Sequence, residues 1–273
     1  MERSPLIEYF DTWLGNTIEN FRLAADHHDP EGVHDYRVAL KRLKALFRLA
    51  GTIEPDFSAR NRFREFRVLF KAGEDLRDIH IQTGVADDFA DASGFPVKEY
   101  RDYLAGLERD AAGRFDRFAA GFDIGVLGKR RKVLVRAVGT LEPAVLPRRV
   151  RERFGRLFGD LVEKVERSRA ADEEMHGIRI LAKEVHYVRE MLDACAPGGE
   201  DSGVFFAKLK KAHQALGHWH DCEVARSYLA GFWEASGAGI GTALAIAEAG
   251  KERHREAFLR AWGEFIMENK KAN

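Results

Sequence analysis

Two stretches of the chain set histidine, lysine and arginine at helical spacing. The first carries His34, Arg37, Lys41, Lys44 and Arg48, and the second carries His176, Arg179, Lys183 and His186. At 3.6 residues per turn each set falls on one narrow helical stripe. Like charges stacked at i, i+3 and i+4 weaken a helix by a few tenths of a kcal/mol per pair. A stripe of this kind makes physical sense when a strongly anionic ligand lies against it. Arginine forks onto two oxygens at once, and lysine acts as a mobile point charge. Anion capture, rather than bond-breaking chemistry, is what these residue types in this order suggest.

A further basic ridge follows the first. Arg60, Arg64, Arg67 and Lys71 recur at i, i+4, i+7 and i+11, beside Phe63, Phe66 and Phe70. Formal net charge is +0, which argues against a protein that is basic all over, but the charge is segregated. From His34 to Lys71 ten basic residues face four acidic ones, and from Lys129 to Arg156 ten face two. From Val85 to Gly128 the balance reverses, with five basic and nine acidic residues. Local potential matters more than the total when an anion is captured. Arg148, Arg149, Arg151, Arg153 and Arg156 are ambiguous between an anion site and a solvated or acid-paired face.

The elements that must hold these side chains are helices. No sustained alternation of β-branched residues points to a sheet. Asp29-Pro30-Glu31 reads as N-cap, first-turn proline and first-turn acid, and Pro55, Pro96, Pro147 and Pro197-Gly-Gly punctuate further along. The spacing predicts helices over 5–27, 31–50, 57–90, 96–120, 129–140, 147–169, 173–194, 201–234 and 240–268. In the second helix Val33, Tyr36, Leu40, Leu43 and Phe47 form an apolar stripe beside the basic one. Trp13, Trp219, Trp233 and Trp262 read as core.

The charge pattern is also a repeat. His34 and His176 are 142 residues apart, and Asp78 of Arg77-Asp78 and Asp221 of His220-Asp221 are 143 apart. Two landmarks at nearly the same offset indicate a duplicated helical unit. The expected organisation is one domain of two repeats, 1–124 and 125–273, meeting near Gly121–Gly128. Two four-helix bundles facing each other would bring the basic helices together.

The chain of 273 residues is long enough to bury a real core, and 45% hydrophobic and 32% charged residues fit a soluble globular protein. No apolar run reaches the roughly 20 residues of a membrane span, and the first residues lack the apolar stretch of a signal peptide. Two cysteines, Cys195 and Cys222, outside any CxxC pair, suit a reducing cytoplasm.

The two segments resemble the signature helices of the CHAD family, the conserved-histidine α-helical domains. The first-half match rests on His34, Arg37, Val38 and Lys41-Arg42-Leu43-Lys44. The second rests on His176, Arg179, Lys183, Tyr187 and Glu190, with Arg77-Asp78 and Ala215-Leu216-Gly217 before Asp221 as the two turns. The resemblance covers essentially the whole chain. It implies an all-α fold of two duplicated antiparallel four-helix bundles, related by pseudo-two-fold symmetry around a basic central groove or pore. It also implies a stand-alone, non-catalytic protein that binds inorganic polyphosphate, in some members at polyphosphate granules. His186, where the family usually has arginine, and Glu184 beside it depart from the pattern and predict weaker or more acid-dependent binding by the second half.

On this reading the polyphosphate-binding residues are His34, Arg37, Lys41, Lys44, Arg48, Arg64, Arg67, Lys71, His176, Arg179, Lys183, His186 and Lys211. His34 and His176 serve equally well as interhelical hydrogen-bonding groups. No cofactor, metal or membrane partner is expected. Two other functions stay open. His34-Asp35 and His220-Asp221, joined by His27, His28, His213 and His218, are the ingredients of a metal-dependent HD-type phosphohydrolase. Against it, Asp35 points about 100° from His34 around the helix and no third pair follows at suitable spacing. Lys/Arg ladders also suit nucleic acid, but the stripes lack interleaved exposed aromatics and a recognised motif.

Overall fold

The computed structural model of the chain describes residues 4–90, 92–139, 141, 144–197 and 202–271, and every element among them is helical. In chain order these are α1 (Pro5–His27), α2 (Pro30–Ile53), α3 (Ala59–Arg62), α4 (Arg64–Ala72) and α5 (Glu74–Val85). A 3-10 turn over Ala86–Phe89 precedes α6 (Val97–Gly121), α7 (Gly125–Gly128) and α8 (Arg130–Val138). Then come α9 (Val145–Ser168), α10 (Asp172–Cys195), α11 (Ser202–Ser236) and α12 (Gly241–Lys271). Thr140, Gly198 and Gly199, at expected helix ends or breaks, lie outside the described residues.

Local signals explain most boundaries. The Asp29 carboxylate accepts a 2.6 Å hydrogen bond from the Gly32 amide, and Pro30 fills the first turn of α2, where its missing N–H costs nothing. The main departure is 57–90, expected as one helix and found as α3, α4, α5 and the 3-10 turn. Gly73 marks the α4–α5 break. A Cβ there would stand 1.7 Å from the Tyr36 hydroxyl oxygen, so only glycine lets this backbone approach α2 so closely.

The described residues group into two compact units. The first contains residues 1–77, 112–162 and 183–200, and the second 78–111, 163–182 and 201–273. Each draws on both sides of position 124, so the repeat of 1–124 and 125–273 is a statement about sequence, distinct from this grouping. In the first unit, the apolar stripe of α2 packs as its periodicity predicts. Tyr36, Leu40, Leu43 and Phe47 are buried, with Phe10, Phe21, Phe66 and Phe115 around them. Phe63 and Phe66 stack at 5.2 Å, and Tyr36 stacks on Phe115 at 6.3 Å.

The second unit has its own core. Phe89, Phe95 and Tyr100 meet Leu229 and Phe232 of α11 and Ala243 and Ala247 of α12. Lys251, 5% exposed, is held by Asp172 at 2.8 Å and by Glu223. Trp219 and Trp262 are core residues, as expected, but Trp13 is only half-buried and Trp233 is 55% exposed. At Trp233 the apolar helical period meets solvent, which periodicity alone cannot reveal. Among the described residues no helix is long and apolar enough to cross a membrane.

Candidate anion-binding ridge

The first unit gathers most of the expected site. His34, Arg37, Lys41, Lys44 and Arg48 stand on α2, and Arg64, Arg67 and Lys71 on α4, while Lys183 and His186 lie on the part of α10 that belongs to the same unit. His176, Arg179 and Lys211 belong to the second unit.

Arg37 departs from the solvent-facing stripe. It is 6% exposed, donates to the Phe70 carbonyl and stacks its guanidinium 4.0 Å over the Phe70 ring. Its contact with Glu74, at 3.9 Å, is looser. These interactions fasten α2 to α4 and α5. Lys41 lies beside the same ring, its ammonium 5.8 Å from the centroid, so Phe70 forms an apolar floor under the ridge.

The remaining α2 cations face one another. Lys44 and Arg48 are exposed, Arg67 is half-buried, and Arg64 and Lys71 are exposed. Partial desolvation and the nearby Arg48 and Arg67 together hold the Lys44 ammonium below its ordinary value, against an opposing pull from Glu184. His34 shows the same condition. Burial and then Arg77 depress its imidazole, and Lys41 adds to them, while Asp35 and Glu31 pull the other way. Two bases lowered partly by neighbouring cations mark a face with excess positive potential. Arg77 entered the sequence reading as a repeat landmark only. Its role beside His34 depends on the break at Gly73, which no charge spacing announces.

The structure brings α2 against the second half of α10, through acids rather than through the expected cations. Arg42 makes two 2.9 Å hydrogen bonds to Glu190 and stacks 4.1 Å over Trp13. Tyr9 donates to the same carboxylate at 3.0 Å, and His186 pairs with it at 3.0 Å. Burial alone would raise the Glu190 carboxyl, but the hydrogen bonds of His186 and Arg42 outweigh it and hold the group at about 2. Glu184, one turn earlier, receives Arg48 and also Arg153 at 2.8 Å. His186 is therefore engaged with an acid four residues along its own helix, and the half-buried Lys183 lies beside Glu184 in sequence.

In the second unit His176 is exposed, with its ring 5.8 Å from that of His220. Arg179 is half-buried and Lys211 exposed. Among the described residues no group of three or more His, Cys, Asp or Glu is placed to hold a metal ion. His34, of the first His-Asp pair, faces the cationic Arg77 and Lys41, which repel a metal ion. The Cys195 and Cys222 thiols are free, and burial pushes them up to about 12 and about 11.

An all-helical chain whose helices carry histidine-led basic stripes falls in the class of conserved-histidine α-helical domains. The CHAD domain pattern matches residues 6–230, and the chain belongs to that family. Its fold is similar to the crystal structure of the CHAD domain from the plant Ricinus communis, with a TM-score of 0.70 at 18% identity over 95% of this chain and 92% of that one. It is also similar to PptA from Streptomyces chartreusis, with a TM-score of 0.65 at 16% identity over 96% of this chain and all of that one. At these identities the likeness concerns the fold alone. No curated protein matches the chain.

Proposed function

We propose that this protein binds inorganic polyphosphate without cleaving it, and that the ridge of the first unit is a principal contact surface. The observation that carries the reading is the potential at Lys44 and His34, each lowered partly by neighbouring cations where only solvent or a ligand can supply the missing negative charge. Family membership supports it. Residues four apart on a helix rise about 6 Å, so Lys41, Lys44 and Arg48, with Arg64, Arg67 and Lys71 alongside, form a ladder for an extended polyanion. Arg37 positions Phe70 and the α2–α4 junction beneath that ladder. His176, Arg179, Lys183, His186 and Lys211 extend the surface in a duplicated arrangement around a common groove, which is part of this proposal. So is a cytoplasmic location, with association at polyphosphate granules.

The test is binding of long-chain polyphosphate to the intact protein and to a Lys41→Gln, Lys44→Gln, Arg67→Gln triple variant. We expect the variant to lose at least about tenfold in affinity, since each lost contact weakens counterion release. Its melting temperature should hold, because these three residues are exposed or half-buried. Unchanged affinity in the variant, or displacement by duplex DNA at equal phosphate concentration, would overturn the reading. Metal-stimulated phosphate release abolished by His220→Ala would make the protein a hydrolase instead.

A further inference from the structure

At the end of the α2 ridge lies a shallow recess of about 370 Å³, lined by Arg48, Gly51, Thr52, Phe57, Ala59, Arg153 and Glu184. Its chemistry is unusual for a ridge that attracts anions. The one carboxylate in it, Glu184, is buried on α10 and takes a guanidinium from each side, Arg48 of α2 and Arg153 of α9. Lys44 feels the same carboxylate, and Arg67 stands beyond. The Nε–H of Arg153 is buried and donates to nothing among the described residues, so its fork is only partly used. Thr52 spends its hydroxyl on the Leu49 carbonyl at 2.7 Å. The recess therefore offers two guanidinium forks, already turned toward one anionic group, at the point where the ridge ends.

We propose that Glu184 is an internal counter-anion, occupying the place of a phosphate between Arg48 and Arg153, and that a bound polyphosphate chain displaces it. This rests on the polyphosphate reading above. A carboxylate and a phosphate oxygen pair present the same acceptor geometry to arginine. The exchange is isoelectric at the guanidinium groups, which keeps them paired without ligand and makes the site selective for anions that outcompete an acid at close range. Densely charged oligophosphates do so; chloride and isolated carboxylates do not. Glu184 therefore sets affinity and discrimination through repulsion and competition.

Glu184→Gln keeps the shape and removes the charge. With one repelling carboxylate gone, long-chain polyphosphate should bind roughly fivefold or more tightly at low salt. The slope of log K against log salt should steepen by about 0.7, the increment for one more neutralised phosphate on a flexible strand. Adding Arg153→Gln to that variant should take back most of the gain. Should Glu184→Gln fail to fold, the unaltered protein still answers. The ¹⁵N resonances of the Arg48 and Arg153 Nε–H groups, assigned with Arg→Lys variants, should shift on adding tripolyphosphate. A folded Glu184→Gln variant that binds no more tightly, or resonances unmoved at saturation, would overturn the inference while leaving polyphosphate binding intact. If the unaltered protein binds no polyphosphate at all, the functional reading falls first and this inference with it.

Discussion

At the scale of single residues the protein responds to acid at two places, in the same direction. Glu190 has a folded value of about 2 against an ordinary 4.5, so it contributes stability above the ordinary value that is lost as pH falls toward 2. The full shift corresponds to about 3 kcal/mol. His34 is lowered in the fold, so the unfolded chain binds its proton more readily and stability also declines below pH 6.5. Glu190→Gln should flatten the acid limb of a melting-temperature profile between pH 5 and 3 (, about a two-unit window). An unchanged limb would place the acid sensitivity elsewhere. A polyanion at the ridge restores the proton to His34, so binding near pH 6 should take up protons. Calorimetry in two buffers of different ionisation enthalpy reads this directly, and His34→Gln should reduce it. Heats independent of buffer would remove His34 from the interface.

At the scale of elements the α2–α5 junction depends on one missing methyl group. Gly73→Ala sets a Cβ against the Tyr36 hydroxyl and should cost about 1–3 kcal/mol, as overpacking does. Gly73→Ala with Tyr36→Phe should recover part of it in urea denaturation, because the atom struck is that hydroxyl. No recovery would mean that the backbone itself cannot accept the side chain. The same junction places Arg77 beside His34, so loosening it should weaken anion binding as well as stability. Asp29→Ala removes a cap hydrogen bond at the start of α2, and about 1 kcal/mol is expected from thermal melts. The α2–α10 contact is firmer. Glu190→Ala leaves Arg42 and the Tyr9 hydroxyl without their carboxylate, and breaking a buried pair of this kind costs about 3–5 kcal/mol.

At the scale of the whole molecule a net charge of +0 coexists with a cationic face, so attraction for a polyanion should be local and steeply dependent on salt. Affinity should rise with chain length as added phosphates reach further contacts, and fall linearly in log K against log salt. Isotherms across a chain-length series check both, and a salt-independent affinity would exclude the ridge. The helical class, the caps, the α2 apolar stripe and the family were legible in the sequence. They depend on spacing along one helix or on matched landmarks, and both are linear properties of a chain. The break of 57–90 at Gly73, the interior place of Arg37, and Arg77 beside His34 were not legible. Neither was the capture of Arg42 by Glu190 or of Arg48 by Glu184, across 148 and 136 residues. Periodicity tells which side chains share a face but not what that face meets, because the partner acid or ring arrives from a helix far along the chain. The sequence alone determined that basic ridges exist; tertiary packing decided which of their charges are already spoken for and which still face outward.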